Sequence, residues 1–398
     1  MAARIEFVSD RIGLLRPTAV NAILADVRRL QAEGRDLVSL MRGEPDFRTP
    51  PHIVQAAVRA LADGRTAYPD NRGEPALREA VAEKLLRDNR IRYDPASEVL
   101  ITSGATFGIS AALAAVLNDR DEVLLPDPIY DAYHSPIRMV GGRVRPVPAE
   151  LRGGRFCLDA AAIEAACTPA SRVLLLNTPW NPVGSVLTER ELVEIGVVVE
   201  RHDLLVISDE IYEAITYDNH RHVSPSAVRE SLRSRTILVN SLSKTYAMTG
   251  WRVGYCAGPR ELIDAMFLVL QQSSRGPATF VQDAAVAALS GPQECVAEMR
   301  AEYTRRREQV LAKLADIPGV QVLPPEGGFF AMLDVRGLGR RSDEVRRWLL
   351  TEAGVVVVHG AAYGPGGEGT LRVSFASGGE KLEHGLRRLR DGLQRLIV

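Results

Sequence analysis

The middle of the chain alternates between short apolar runs and longer segments with helical periodicity. Apolar runs such as 172–176 and 204–208 lack the alternation of a strand with one wet face. Such runs, separated by helices, indicate a largely parallel sheet that is covered on both faces. The predicted strands are 99–102, 122–125, 143–147, 172–176, 204–208, 236–239 and 253–257. We therefore predict an α/β fold with a mostly parallel central sheet flanked by helices.

Helices are predicted at 104–117 and at 188–202, where Thr188 and Glu191 have the spacing of a capping box. The C-terminal third has an α+β pattern instead. Its predicted elements are a charged helix at 292–314, strands at 320–323, 329–333, 355–358 and 371–375, a helix at 342–353 and a final helix from Gly379. A chain of 398 residues is long for one core. We predict a large domain at 49–290, and a small domain that joins 1–48 to 291–398 because the N-terminal segment is too short to fold alone.

Composition narrows the function classes. The net charge of −1 gives no electrostatic case for binding nucleic acid or an anionic membrane. No segment approaches the roughly 20 apolar residues of a membrane span, and the charged N-terminus (Arg4, Glu6) lacks a signal-peptide core. The four cysteines form no CxxC pair, which argues against a zinc site and a disulfide framework. We expect no metal and a reducing, cytoplasmic location.

The most informative motif runs from Ser241 to Arg252, directly after an apolar strand. Lys244 lies in its small-residue loop, where open α/β sheets place their ligands. Ser241 and Arg252 can hold a phosphate, and an amine beside a phosphate cradle suits a pyridoxal phosphate (PLP) enzyme. The other three lysines, Lys84, Lys313 and Lys381, fall in charged stretches typical of surface helices. A solvated lysine in an ordinary connection would give the same local pattern.

Other strand ends carry polar residues as well. Ala105 and Thr106 open a predicted helix whose free N–H groups suit a phosphate, although many helices begin this way. Asn181 lies in a proline-rich turn, and Asp209 ends an apolar strand, where it needs a positive partner or acts as a helix cap. Arg372 lies within an apolar strand, either facing water at a sheet edge or clamping a substrate carboxylate.

Together these segments resemble the class I/II aminotransferases of PLP fold type I. The resemblance runs in order from about Arg11 to the C-terminus. The segments that carry it are Gly43-Glu-Pro-Asp-Phe47, Tyr68-Pro-Asp-Asn-Arg-Gly73, Ser103-Gly-Ala-Thr106, Asn177-Thr-Pro-Trp-Asn-Pro-Val-Gly184, Ser208-Asp-Glu-Ile-Tyr212, Ser241-Leu-Ser-Lys244, Gly250-Trp-Arg252 and Leu371-Arg-Val-Ser-Phe375.

The resemblance implies a role for each matching residue. Lys244 would form the Schiff base with PLP and move the proton, and Asp209 would keep the pyridine nitrogen protonated. Asn181 and Tyr212 would bind the ring hydroxyl, and Tyr130 would stack on the ring. The phosphate would be held by Ala105, Thr106, Ser241 and Arg252, with Tyr68 reaching across a homodimer. Arg372 and the backbone of Gly43 would take the substrate α-carboxylate.

The departures from the family pattern concern the substrate. Arg42 stands where a small or apolar residue is usual, and Arg275 lies in a loop that lines the site in relatives. Thr106 replaces a lysine of some aspartate-using relatives, His359 a proline and Phe330 a tyrosine. We expect Arg42 or Arg275 to recognise a polar or acidic side chain, because a desolvated guanidinium requires an anion or several acceptors. Either arginine could instead face solvent or pair with a neighbouring acid.

The resulting hypothesis is a PLP-dependent aminotransferase that moves the amino group of an L-α-amino acid to a 2-oxo acid. The same scaffold supports β-elimination, racemisation, decarboxylation or cyclisation in biosynthesis. A non-catalytic PLP-binding regulator is a third reading, which the presence of both Lys244 and Asp209 disfavours.

Overall fold

The computed structural model describes residues 8–397, so Arg4 and Glu6 lie outside it. Its strands are β1 (Val38–Ser39), β2 (Val99–Thr102), β3 (Glu122–Asp127), β4 (Arg143–Pro148), β5 (Glu150–Arg152), β6 (Arg155–Cys157), β7 (Ser171–Asn177), β8 (Leu205–Asp209), β9 (Thr236–Ser241), β10 (Gly254–Ala257), β11 (Gln321–Leu323), β12 (Phe330–Asp334), β13 (Val355–Val356), β14 (Val358–His359) and β15 (Thr370–Ser374).

Helices connect most of these strands. The α-helices are α1 (Ala19–Ala32), α2 (Pro51–Ala62), α3 (Pro75–Asn89), α4 (Ala105–Val116), α5 (His134–Met139), α6 (Ala160–Ala166), α7 (Glu189–Arg201), α8 (Pro225–Val228), α9 (Glu230–Arg233), α10 (Leu242–Thr245), α11 (Arg260–Ser273), α12 (Thr279–Ser290), α13 (Glu294–Leu314), α14 (Ser342–Trp348) and α15 (Gly379–Arg395). Short 3₁₀ helices lie at Asp10–Leu14, Asp131–Tyr133, Thr249–Trp251, Arg336–Leu338, Gly360–Tyr363 and Pro365–Gly367. No helix among residues 8–397 is both long and apolar enough to cross a membrane.

The central sheet has seven strands in the order β2-β10-β9-β8-β7-β3-β4. All neighbours pair in parallel except β10, which is antiparallel to β2 and to β9. The prediction of a mostly parallel sheet flanked by helices is therefore confirmed. Because β2, β7, β8 and β9 run in one direction, their carboxyl ends meet at one edge, where such sheets bind ligands.

The apolar runs lack alternation because both faces of the sheet are covered. In β7, Val173 and Leu175 pack in a cluster with Ile109 of α4 and Ile263 of α11. The intervening Leu174 and Leu176 pack in another cluster, with residues of α6 and α7. Helix α7 begins with the predicted capping box, in which the Thr188 hydroxyl accepts from the Glu191 N–H and the Glu191 carboxylate accepts from the Thr188 N–H.

The C-terminal third forms an antiparallel sheet in the order β11-β12-β15-β14, packed against α13 and α15. One element differs from its prediction: the run 355–358 is two strands. Val355 and Val356 pair in parallel with β1, whereas Val358 and His359 pair with β15, so the chain passes from one sheet to the other at the buried Val357. The predicted helix 342–353 is α-helical only to Trp348 and continues as a π-helical turn.

Candidate active site

A cavity of about 400 Å³ lies at the carboxyl edge of the central sheet. Most of the residues predicted from the sequence line it. These are Gly43, Ala105, Thr106, Tyr130, Asn181, Asp209, Tyr212, Ser241, Lys244, Arg252 and Arg372. The loops after β2, β7, β8 and β9 deliver most of this set, and β15 contributes Arg372 from the second sheet.

Lys244 lies in the short helix α10, which starts as soon as β9 ends at Ser241. Its Nζ donates a hydrogen bond to the carbonyl oxygen of Gly43 at 2.7 Å. Burial lowers the pKa of this amine to about 8. About a tenth of Lys244 is then uncharged at pH 7, far more than for an ordinary lysine, and the uncharged amine is the nucleophilic form.

Asp209 is the last residue of β8 and is 3 % exposed. Its Oδ2 accepts a hydrogen bond from the Tyr133 hydroxyl at 2.6 Å, and its Oδ1 accepts from the Ile211 N–H at 3.2 Å. Burial raises the pKa of the carboxyl to about 6. Among residues 8–397 no cationic side chain forms an ion pair with Asp209, so a cation placed in this cavity would offset its desolvation.

The N-terminus of α4 and the Arg252 guanidinium form an anion-binding corner. Gly104 precedes α4 with φ +85°, and a Cβ there would lie 2.6 Å from Nη2 of Arg252. Helix α4 has no side-chain cap, and its first N–H groups and dipole favour a negative ligand. The Ser241 hydroxyl also lines this cavity, where it donates to the Val253 carbonyl at 3.0 Å.

Arg372 lies in β15 between two paired strands and is 2 % exposed, so it does not face water. It donates from Nη1 to Oδ1 of Asn181 at 3.0 Å and from Nη2 to the Met41 carbonyl at 2.7 Å. Its Nε is buried without a partner among the described residues. The guanidinium lies 4.0 Å from the centroid of Phe330. A carboxylate in the cavity would balance this buried charge.

Comparison with known proteins identifies the family. Residues 35–389 match the model of "Aminotransferase class I and II". The aspartate aminotransferase of Bacillus subtilis strain 168 is 35% identical over 96% of this chain and 98% of its own length. The structure of Thermus thermophilus aspartate aminotransferase with maleate superposes with a TM-score of 0.90 at 36% identity, covering 97% of this chain and 99% of that one. The Pyrococcus horikoshii aromatic aminotransferase gives 0.88 at 40% identity, covering 94% and 100%.

The chain belongs to the class I and II aminotransferases. It is a PLP-dependent enzyme that transfers amino groups between amino acids and 2-oxo acids, as predicted. We call the cavity of about 400 Å³ the aminotransferase cavity, and its residues fit that cofactor. The Lys244 amine suits the aldehyde of PLP, and the buried carboxylate of Asp209, which has no cation, suits the ring nitrogen. The N-terminus of α4 beside the Arg252 guanidinium suits the phosphate.

Three sequence-predicted site residues do not line the aminotransferase cavity within this chain. Arg42 has a 62% exposed side chain whose Nη1 lies 3.9 Å from a carboxylate oxygen of Glu44. Tyr68 is 86% exposed. The guanidinium of Arg275 lies 5.8 Å from the centroid of the Tyr68 ring, so these two residues form one exposed pair.

Four residues that line the aminotransferase cavity were not predicted from the sequence. Tyr133 donates to Asp209 from 76 positions away, and the sequence marks it only by its nearness to Tyr130. Asn177 bridges two predicted residues: its Nδ2 donates to the Asp209 carbonyl at 3.0 Å and its Oδ1 accepts from the Asn181 N–H at 2.8 Å. Thr18 and Asn21, at the start of α1, also line the cavity. A polar N-cap before an amphipathic helix is the only sequence signal for them.

The expectation that Lys84 lies on the surface is wrong. Its side chain is 7% exposed and forms an ion pair with Glu213. It also donates to Oδ1 of Asn89 at 2.7 Å. Among the described residues, Lys244 is the one lysine that lines the aminotransferase cavity.

Proposed function

We propose that Lys244 carries the cofactor and that the amino donor is an acidic L-α-amino acid such as aspartate. The observation that carries the first part is the buried Lys244 amine, with a lowered pKa, in the same cavity as Asp209 and Arg372. The second part is supported by the relatives that are named aspartate aminotransferases.

In this proposal each buried group has one task. PLP supplies an aldehyde that captures the amino group and a ring that withdraws electrons from the substrate Cα. Lys244 would hold the cofactor through that aldehyde and would move the proton at the substrate Cα. Asp209, held by Tyr133, supplies the negative charge that keeps the ring nitrogen protonated. Arg372 and Asn181 hold the α-carboxylate and so orient the Cα–H bond toward the lysine.

Reductive trapping tests the lysine assignment. Borohydride treatment of the PLP form, followed by peptide mapping, should place the pyridoxyl group on Lys244. Lys244→Ala should abolish the label, whereas Lys313→Ala should keep it, because Lys313 lies near the end of α13 and does not line the cavity. A pyridoxyl group on another lysine would contradict the assignment.

For the substrate side chain we propose that Arg275 of a second copy or Arg42 supplies the positive charge. The charged lining residues of the cavity are Lys244, Arg252, Arg372 and Asp209, each of which already has a task. Thr18 and Asn21 add uncharged polar groups at the same cavity, whereas Val20 and Ile109 add apolar surface. A side-chain carboxylate therefore requires a further cation.

A substrate panel separates these possibilities. Arg275→Ala should lower kcat/KM for aspartate by at least tenfold while changing the value for phenylalanine or leucine by less than twofold, because only aspartate carries a side-chain anion. Arg42→Ala should show this selectivity only if Arg42 moves away from Glu44. Arg190→Ala, at an exposed position on α7, serves as the control and should change neither value. Equal effects on all amino acids, or none, would refute both assignments, and a preference for aromatic donors in the unmodified enzyme would refute an acidic donor.

We further propose a homodimer in which Tyr68 contributes to the neighbouring active site. Helix α2 exposes three apolar side chains at helical spacing, namely Val54, Val58 and Leu61, which are 38%, 59% and 47% exposed. Such a stripe on a globular protein is typical of an interface. By the family resemblance Tyr68 reaches the partner's phosphate, and Arg275 forms one exposed pair with it.

The domain division and the cellular location complete the proposal. A division into a large domain of 49–290 and a small domain of 1–48 and 291–398 is supported by the pairing of β1 with β13 and by the break between α12 and α13. A cytoplasmic location is supported by the four cysteines, which are all unpaired. Limited proteolysis and cell fractionation test these two features.

A further inference from the structure

A second cavity, of about 440 Å³, adjoins the candidate active site. The two cavities share Ser241, and none of the other residues proposed to hold PLP or substrate lines the second one. Its remaining walls come mainly from α3, α10, α13, the end of β9 and the segment after β8, with Tyr255 of β10 and Leu289 of α12. This cavity therefore has room for a separate small molecule, and the proposed transamination does not use it.

The mouth of this second cavity carries unpaired positive charge. Arg221 and Arg300 line it and are exposed, and neither forms an ion pair or side-chain hydrogen bond within residues 8–397. Asp88, the exposed acid of the lining, already pairs with the neighbouring Arg87 at 2.8 Å. Two guanidiniums without an acid favour an anionic ligand.

The acidic interior of the cavity is already satisfied. Glu213 pairs with Lys84 and accepts hydrogen bonds from Nδ2 of Asn240 at 2.7 Å and from Nδ2 of Asn89 at 2.8 Å. Burial acts to raise the pKa of Glu213, but the nearby charges of Lys84 and His222 outweigh it and the pKa is lowered. Glu210, Glu213 and His222 have the spacing of a metal site, yet Lys84 and the amide donors occupy the Glu213 oxygens. A metal cation is therefore disfavoured here.

One buried polar atom in the second cavity still lacks a partner. His222 lines the cavity with a side chain that is 4% exposed, and its Nε2 lies 2.8 Å from Oε2 of Glu210. Its Nδ1 is buried and has no hydrogen-bond partner among the described residues. Satisfying this atom requires the imidazole to turn toward the cavity, where a polar atom of a ligand would pair with it.

The rest of the lining is mixed. Thr216, Thr245 and Gln293 add polar groups, whereas an apolar part is formed by Leu242, Leu289, Val296 and the ring of Tyr246. Val296 and Arg300 are one turn apart on α13, so an apolar surface and a guanidinium are adjacent on one helix. We propose that this second cavity binds a small organic carboxylate with an apolar body, whose carboxylate is held by Arg221 and Arg300 and whose second polar group meets His222.

Equilibrium dialysis with 4-hydroxyphenylacetate tests the proposal. This probe has a carboxylate, an apolar ring and a hydroxyl group, but no amino or oxo group that transamination could use. The holoenzyme is used with Arg372→Met, which removes the carboxylate-binding group of the candidate active site. One probe molecule should then bind per chain, and 4-hydroxyphenylacetamide, which lacks the negative charge, should bind at least tenfold more weakly.

Substitutions in the Arg372→Met background locate the binding. Arg221→Ala and Arg300→Ala should each weaken binding at least fivefold, whereas Arg305→Ala, on the same helix but outside the cavity, should leave it unchanged. Val296→Trp, which fills the cavity without removing a charge, should also abolish binding. No binding in the Arg372→Met background, equal binding of the neutral amide, or insensitivity to both arginines would each refute the site. Binding of Mn²⁺ in place of the probe would show that the cluster around Glu213 binds a cation instead.

Discussion

Asp209 and Lys84 show what determines the role of a charged residue in this protein. Both side chains are buried, but Lys84 has an internal partner of opposite charge, and Asp209 is bonded only by the neutral groups of Tyr133 and Ile211. An ion pair that is complete within the chain is structural, whereas a buried carboxylate without a cation implies a ligand.

Replacing Asp209 with asparagine should change how the stability of the cofactor-free protein depends on pH. Burial raises the pKa of Asp209 to about 6 in the folded state, above its ordinary value of 3.8. Because the folded state binds this proton more tightly, the resulting stabilisation is complete below the unfolded pKa and is lost as the pH rises through about 6. Between about pH 4 and pH 7, the free energy of unfolding should fall by about 2–3 kcal/mol more for the unmodified protein than for Asp209→Asn.

Urea unfolding at a series of pH values measures this difference. Tyr133→Phe serves as a second variant. The hydrogen bond from Tyr133 lowers the pKa of Asp209, so without it the decrease in the free energy of unfolding should occur at higher pH. Parallel pH dependences for the unmodified protein and Asp209→Asn would show that the Asp209 carboxyl is not held at a raised pKa.

At the scale of residues, sequence reasoning succeeds where a residue's neighbours in the chain define its environment. Lys244 and Asp209 each lie at or just past the end of an apolar strand, so the local pattern places them at the ligand-binding edge. The environment of Lys84 could not be predicted in this way, because its partner Glu213 is 129 positions away in the chain. Tyr133 is missed for the same reason, since only the folded chain brings its hydroxyl to Asp209.

At the scale of elements, the central strands were predictable because burial on both faces leaves a continuous apolar run. The same rule wrongly predicts a single strand at 355–358. A run of valines can pair in either sheet, so the sequence does not show that the pairing partner changes at Val357. The small residues at the start of α4 predict an anion site there. Its proximity to Arg252 could be predicted only from the family resemblance, because that contact depends on the pairing of β10 beside β2.

Gly104→Ala should damage the corner formed by α4 and Arg252. An alanine Cβ would lie 2.6 Å from Nη2 of Arg252, at a φ of +85° that disfavours any side chain. The guanidinium must then move away from the helix N-terminus, and we expect the Kd of PLP to rise at least tenfold. Gly250→Ala is the matched control, because its Cβ would meet no atom within 4 Å and its φ is not positive.

Equilibrium dialysis of PLP against the cofactor-free variants measures the effect, and urea unfolding checks that Gly104→Ala is folded. Similar Kd values for the two folded variants would show that this corner does not hold the cofactor phosphate.

At the scale of the whole molecule, the cavity joins elements that are far apart in the chain. Arg372 comes from β15, Lys244 follows β9, and Thr18 and Asn21 lie at the start of α1. The order of the strands could be constrained from sequence only by resemblance to a family. In the proposed dimer, the exposed Tyr68 and Arg275 of one chain would complete the site of the other.

Val58→Arg should break the proposed dimer. Val58 is 59% exposed in the middle of the apolar stripe of α2, so an arginine is tolerated in the free chain but places an uncompensated charge in an interface. Sedimentation velocity should give twice the chain mass for the unmodified protein and the single-chain mass for Val58→Arg. Val197→Arg, at a 40% exposed position on α7, should remain dimeric. A monomeric unmodified enzyme with full activity would refute the dimer.

Mixing two inactive variants tests whether the sites are shared. Lys244→Ala lacks the proposed cofactor lysine, and Tyr68→Ala lacks the ring proposed to reach the neighbouring phosphate. In a mixed dimer, one site combines Lys244 from one chain with Tyr68 from the other and is therefore intact, while the second site lacks both. After unfolding and refolding the variants together in equal amounts, half of the dimers should be mixed. Because these have one working site in two, activity should recover to about a quarter of that of the unmodified enzyme. If the refolded mixture forms dimers but recovers no activity, Tyr68 acts within its own chain, and the site is complete without a partner.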